Sequence, residues 1–118
     1  WGMGLRRFTV VATPSWMAPP LMQGQLYFCH QDQVTHLPAT AERLAGDTFC
    51  PNAIFAIGNQ VLGIQGHPEF SPAFMTTLID TLGAKAGDEV AKQAAASLQT
   101  GQPHATIVAQ WVVNFLQQ

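Results

Sequence analysis

Residues 53–69 read Ala-Ile-Phe-Ala-Ile-Gly-Asn-Gln-Val-Leu-Gly-Ile-Gln-Gly-His-Pro-Glu. Two short apolar runs, 53–57 and 60–64, flank Gly58-Asn59, and such a pattern predicts a β-hairpin. The second run passes directly into the sequence His-Pro-Glu at 67–69. The stretch therefore predicts a strand with an imidazole and a carboxylate just beyond its end.

On either side of this hairpin the sequence pattern changes from strands to helices. Strands are predicted at Leu5–Thr13 and Gln25–Cys29, whereas residues 33–52 are predicted to be irregular. Ser71, followed by proline, predicts the start of a helix, and Gly83 predicts its end.

Two more helices are predicted after residue 83. One covers Asp88–Leu98, and the other begins near Pro103 and carries a broad apolar stripe. Parallel strands need crossover connections, and no convincing helix separates the early strands. Either the fold is α+β, or the β-α-β part lies upstream of Trp1.

Charge is scarce in this chain. Only 10% of the 118 residues are charged, compared with about 25% in typical soluble domains. We therefore expect other protein to cover part of the surface. The net charge is −2 and there is no basic stripe, so a nucleic-acid partner is not predicted.

Cysteine content and hydropathy give two further expectations. Cys29 and Cys50 are too few for a disulfide framework and suit a reducing cytoplasm. The most apolar tract, 106–116, is too short to cross a bilayer, which takes about 20 residues. No membrane partner is predicted.

His67 and Glu69 are the best candidates for chemistry. A carboxylate that accepts a hydrogen bond from one imidazole nitrogen sets the tautomer and leaves the other nitrogen free as a general base. Gly66, without a side chain, would let a substrate or a partner loop approach closely. The alternative is a surface turn that holds a solvated ion pair, because His-x-Glu alone is a weak motif.

A second polar cluster follows the strand at 25–29. It contains His30 and Asp32, and its alternative interpretation is a polar turn in which Asp32 caps backbone amides. Imidazoles and carboxylates of both clusters could also form a metal site, although their spacing matches no zinc signature. The residues concerned are His30, Asp32, His36, His67 and Glu69.

No convincing nucleophile accompanies these groups. Cys29 lies within an apolar strand, where cysteine is usually a small buried side chain, and Cys50 precedes a proline in a turn. Neither occupies a sharp strand-to-helix elbow, where nucleophiles of α/β hydrolases are presented. The sequence therefore predicts a base and its orienting carboxylate without the nucleophile.

In this order, the motifs resemble the C-terminal half of class I glutamine amidotransferases, above all the amidotransferase domain of GMP synthetase and its stand-alone relatives. The family has a Ser-His-Gly-Asp-x-Val segment, a Cys-Pro turn, and a strand that runs into His-Pro-Glu. Here these are Cys-His-Gln-Asp-Gln-Val at 29–34, Cys-Pro at 50–51 and His-Pro-Glu at 67–69. Two departures from the family are Cys29 for serine and Gln31 for glycine.

The resemblance implies an α/β fold, the C-terminal part of a flavodoxin-like amidotransferase domain with strands first and helices last. It implies a Cys-His-Glu triad that hydrolyses glutamine to glutamate and ammonia, with His67 as general base and Glu69 as its orienting group. It also implies that the segment after the second strand binds glutamine, without any cofactor or metal. The substrate-binding residues are Cys29, His30, Gln31 and Asp32.

The family's nucleophile lies in a Gly-x-Cys-x-Gly elbow, and residues 1–118 contain no such motif. We therefore expect residues 1–118 to be an incomplete amidotransferase domain, in which 84–118 form a C-terminal helical extension. We also expect residues 1–118 to be inactive by themselves. Expected partners are the nucleophile-bearing N-terminal half and a synthetase domain or subunit that accepts the ammonia. Two alternatives are a non-catalytic binding module and a metal-dependent hydrolase using His30, His67 and Glu69.

Overall fold

The computed structural model describes every residue from Trp1 to Gln118 and places five strands before three helices. The strands are β1 (Gly2–Val10), β2 (Gln23–His30), β3 (Ala41–Gly46), β4 (Ile54–Ile57) and β5 (Val61–Ile64). The helices are α1 (Pro72–Ala86), α2 (Asp88–Ser97) and α3 (Ala105–Leu116). The predicted order of strands and then helices is confirmed. None of the three helices has the length and apolar character needed to cross a membrane.

The strands form a single antiparallel sheet in the order β2-β1-β3-β4-β5. The sheet curls, because the segment after β5 returns to β2 at the other end of this order. There the backbone N–H of His67 donates to the carbonyl of Tyr27 at 2.8 Å. The curl places the end of β5 beside β2, which carries the second polar cluster.

The hairpin predicted around Gly58 is confirmed. β4 and β5 pair in register from Ile54 opposite Ile64 to Ile57 opposite Val61. Gly58 has a φ of 52°, a left-handed conformation that glycine adopts without steric cost.

The region predicted to be irregular contains β3, so that prediction was wrong in part. The strand begins Ala-Glu-Arg, where a charged, exposed half hides the usual apolar alternation. β3 forms because it lies between β1 and β4 and pairs with both. Neighbouring strands therefore impose an extended conformation that the local sequence does not signal.

Both faces of the sheet are covered. Alternate side chains of β2 point to opposite faces, so Leu26 and Phe28 join one cluster and Tyr27 joins the other. The first cluster packs α3 on the sheet, through buried Val108, Trp111 and Phe115. The second packs α1 and α2, through Met75, Ile79 and Ala94.

Helix α1 begins as predicted and ends later than predicted. The Ser71 hydroxyl accepts a hydrogen bond from the backbone N–H of Phe74 at 3.0 Å, and Pro72 is the first helical residue. Gly83 does not end the helix; Gly87, with a φ of 108°, does. A Cβ on Gly83 would lie 3.0 Å from the Cβ of Ala91, so this glycine lets α2 pack closely against α1.

Gly66 is buried where the segment after β5 packs on β2. A Cβ at this position would lie 3.0 Å from Leu26 Cβ and from the ring of Phe28. The missing side chain therefore allows the segment that carries His67 to lie against β2.

Gly66→Ala is expected to lower the free energy of unfolding by about 1–3 kcal/mol, because the added methyl overfills a packed core. Urea denaturation measures this change. In the control Gly101→Ala, the nearest atom is the end of the flexible Gln25 side chain at 3.2 Å, so no loss is expected. Equal stability of the two variants would contradict the packing role of Gly66.

Candidate functional site

His67 and Glu69 lie in contact, as the sequence predicts. The imidazole Nδ1 is 3.1 Å from Glu69 Oε1 and 3.4 Å from Oε2. One face of the His67 imidazole stacks on the ring of Phe70, with ring centres 4.1 Å apart and planes inclined by 2°. With its backbone held by Tyr27, the ring is positioned from three sides.

The ring's other nitrogen, Nε2, makes no hydrogen bond within the chain, so it is available to a substrate or a nucleophile. Glu69 is 61% exposed and the His67 side chain 33% exposed. An exposed ion pair contributes little to stability because water screens it. The contact therefore orients the imidazole more than it stabilises the fold.

A groove of about 470 Å³ runs beside this pair. Its volume is within the range of roughly 300–1,000 Å³ that is usual for small-molecule sites. His67 and Glu69 lie at its polar end, and its walls come from β5 and α3. The apolar wall residues are Leu62, Ile64, Val112, Phe115 and Leu116.

Apolar side chains on β5 and on α3 are exposed. Val61 at the sheet edge is 43% exposed and Leu116 on α3 is 75% exposed. Exposed strand edges and clustered apolar side chains are typical of surfaces that other protein covers. The expectation from the low charge content, that other protein covers part of the surface, stays a prediction.

Of the second cluster, His30 is the best packed. Its ring packs edge-on to Phe28 and nearly parallel to Phe49, and its Nε2 lies 3.0 Å from Gln33 Oε1. Its Nδ1 is buried without a hydrogen-bond partner. Gln31 and Asp32 are exposed beyond the strand end. The alternative interpretation of this cluster, in which Asp32 caps backbone amides, is not observed, since Asp32 makes no hydrogen bond within the chain.

The candidate metal ligands do not form a metal site. No three of the chain's histidine, cysteine, aspartate and glutamate side chains form a cluster that could hold an ion. His36 contacts the hydroxyl of Thr35 at 3.0 Å, on the exposed segment after β2. The grouping of His30, Asp32 and His36 with His67 and Glu69 was therefore wrong.

Neither cysteine has the environment of an activated nucleophile. Burial raises the pKa of the Cys29 thiol, which packs at the edge of the cluster under α1 and α2. Burial also raises the pKa of Cys50, with a further increase from Asp47 that Arg6 partly offsets. Both thiols therefore favour the protonated form, which is a poor nucleophile.

Sequence reasoning missed two residues that shape the site. Phe70 stacks on His67, and Gln65 links the segment before His67 to two other loops. Phe70 could have been identified from the sequence as an aromatic residue directly after Glu69. Gln65 could have been identified as a polar residue at the end of a strand, two positions before His67.

Comparisons with known proteins agree with this fold. No family model matches the chain. Gamma-glutamyl peptidase 3 of Arabidopsis thaliana is 36% identical over 90 residues, 75% of this chain and 36% of that protein. A glutamine amidotransferase-like protein of Schizosaccharomyces pombe is 32% identical over 88 residues, 74% of this chain and 36% of that protein.

A solved structure extends the likeness. The crystal structure of a glutamine amidotransferase from Thermotoga maritima superposes with a TM-score of 0.69 at 15% identity, over 99% of this chain and 51% of that one. The predicted fold class is thereby confirmed. The chain spans about a third of the length of these two sequence relatives and half of the solved structure. Sequence and fold together identify it as a class I glutamine amidotransferase-like chain.

Proposed function

We propose that this chain carries the acid–base part of a hydrolase that cleaves the side-chain amide of glutamine. The observation that carries the proposal is the 3.1 Å contact between His67 Nδ1 and Glu69 beside a groove of ligand size. A carboxylate on Nδ1 fixes the proton there and leaves Nε2 to exchange protons with the reacting groups. Glu69 is the orienting group and His67 the general acid and base.

In this proposal the nucleophile comes from protein outside residues 1–118, because neither cysteine makes a hydrogen bond to His67 and burial raises the pKa of both Cys29 and Cys50. This nucleophile is a cysteine thiolate, which attacks the amide carbon of glutamine. The protonated His67 then gives a proton to the departing ammonia. The neutral imidazole then takes a proton from water that attacks the thioester, which releases glutamate and regenerates the thiolate–imidazolium pair. Backbone amides near the nucleophile stabilise the oxyanion.

Residues at the C-terminal end of β2 and directly after it hold the substrate in this proposal. Pairing with β1 fixes the backbone of Cys29 and His30, and their peptide groups bind glutamine together with that of Gln31. Asp32 is exposed and free to meet a charged end of the substrate. The released ammonia passes to a synthetase domain or subunit, and we expect the whole system to work in the cytoplasm.

A second candidate is cleavage of γ-glutamyl peptides, which the similarity to gamma-glutamyl peptidase 3 favours. The bond is the same γ-amide, and the same acid step would protonate an amine in place of ammonia. The apolar wall of the groove suits a leaving group larger than ammonia. With a peptide substrate, no ammonia acceptor is needed.

Assaying glutamine and a γ-glutamyl dipeptide side by side tests the proposal. The enzyme is this chain joined to the half that supplies the cysteine. We expect glutamate from glutamine, with ammonia released in equal amount. Faster cleavage of the dipeptide would favour the peptidase. Specific binding of either compound without turnover would favour a non-catalytic module.

A further inference from the structure

Gln65 makes two hydrogen bonds that tie three separate segments together. Its side-chain Oε1 accepts from the backbone N–H of Val34 at 2.9 Å, and its Nε2 donates to the carbonyl of Asn52 at 2.7 Å. The acceptor and the donor of the amide are both used. No side chain lacking either group can replace it.

Asn52 completes the arrangement from the other side of Val34. It is buried, and its Nδ2 donates to the carbonyl of Val34 at 3.2 Å. Both backbone polar groups of Val34 are therefore bound by side chains from distant segments. We call these contacts among Val34, Asn52 and Gln65 the amide clamp.

The amide clamp matters because residues 31–38 form no helix or strand. Without ladder hydrogen bonds, the position of such a segment depends on its side-chain contacts. Gln33 adds one more contact, donating to the carbonyl of Phe49 at 2.6 Å. The amide clamp thus fixes the loop that begins with the proposed substrate-binding residues.

The other end of the amide clamp lies two residues before His67. The backbone N–H of Gln65 donates to Ala53 at 2.8 Å, and that of His67 donates to Tyr27 at 2.8 Å. The backbone from Gln65 to His67 is therefore held by hydrogen bonds at both ends, and the Gln65 side chain extends from this fixed backbone.

We propose that Gln65 is a positioning residue that sets the distance between the substrate loop after β2 and the imidazole of His67. This inference rests on the proposed hydrolase function. In it, the loop and His67 act on the same γ-glutamyl amide. Gln65 touches neither the substrate nor the reacting atoms, so its loss weakens substrate binding and leaves proton transfer by His67 intact.

Residue-resolved hydrogen exchange on the unaltered protein tests the amide clamp first. We expect the amide of Val34 to be protected and that of Thr35, which donates no hydrogen bond to the backbone or a side chain, to exchange freely. This measurement needs neither turnover nor a variant. Equal, fast exchange at both positions would overturn the inference.

Kinetics of Gln65→Ala and Gln65→Glu test the positioning role, in this chain joined to the half that supplies the nucleophile. Glutamate keeps the size of glutamine, but as a carboxylate it cannot donate to Asn52. We expect KM for glutamine, or for the γ-glutamyl dipeptide if that is the substrate, to rise by about two- to fivefold in Gln65→Glu, which loses one hydrogen bond. In Gln65→Ala, which loses both, we expect a rise of about five- to tenfold, since each lost hydrogen bond costs a few-fold in binding. The pH profile of kcat should stay unchanged in the uncharged variant Gln65→Ala. The matched control Gln99→Ala, an exposed glutamine beyond α2, should keep the original KM.

The outcomes separate this inference from the function on which it rests. Unchanged KM in both Gln65 variants, or a shifted pH profile in Gln65→Ala, would overturn the positioning role even if His67 proves essential. No turnover of either substrate by the unaltered joined protein would instead count against the hydrolase. If both variants fail to fold, the exchange experiment decides on the unaltered protein.

Discussion

Replacing His67 with asparagine is expected to abolish turnover of the γ-glutamyl amide. General acid–base catalysis typically contributes about 100- to 10,000-fold, and asparagine cannot accept and return a proton at neutral pH. The backbone bond to Tyr27 does not involve the side chain, so the fold should persist. An ammonia- or amine-release assay on the joined protein measures the loss.

Two further variants sharpen this result. Glu69→Gln should reduce turnover less than His67→Asn, because a neutral amide still accepts from Nδ1 yet stabilises the imidazolium poorly. His36→Asn is the matched control, since this exposed histidine contacts only its neighbour Thr35. Activity that survives His67→Asn would overturn the assignment of the general base.

Residues 1–118 alone are expected to show no γ-glutamyl hydrolysis, and activity is expected only when the nucleophile-bearing half is present. Without that half there is no thiolate to attack the amide and no oxyanion donor to stabilise the intermediate. Water also reaches the pair of His67 and Glu69 in residues 1–118, because the His67 side chain is 33% exposed and that of Glu69 is 61% exposed. We therefore expect only background turnover from residues 1–118 alone and full turnover when the nucleophile-bearing half is present.

Mixing separately produced halves and following ammonia release measures this effect. A cysteine-to-serine change in the added half should remove the activity, whereas Cys29→Ser should be mild because related segments carry serine there. Turnover by 1–118 alone that disappears in Cys29→Ser would make Cys29 the nucleophile and contradict the proposed division of the site.

Much of the local structure was predictable because local interactions create it. Gly58 supplies the left-handed turn of the hairpin, and Ser71 with Pro72 starts α1, each within a few residues of sequence. The contact of His67 with Glu69 also spans two residues, so spacing and chemistry were enough to predict it.

Predictions failed where a distant segment decides the conformation. Gly83 looks like a helix end, but α2 packs on it and the helix continues to Ala86. β3 has a weak strand pattern and forms because two neighbours pair with it. Short-range propensity cannot anticipate either outcome, since the deciding atoms belong to other elements.

The hairpin, the helix starts and the contact of His67 with Glu69 could be predicted from the sequence, because these features depend on neighbours along the chain. The curl of the sheet, which packs Gly66 on β2, depends on tertiary packing. The curl also brings Gln65 within hydrogen-bond distance of Val34. These contacts join residues about 30 to 40 positions apart. Their formation depends on the packing of the whole sheet, which no local pattern encodes.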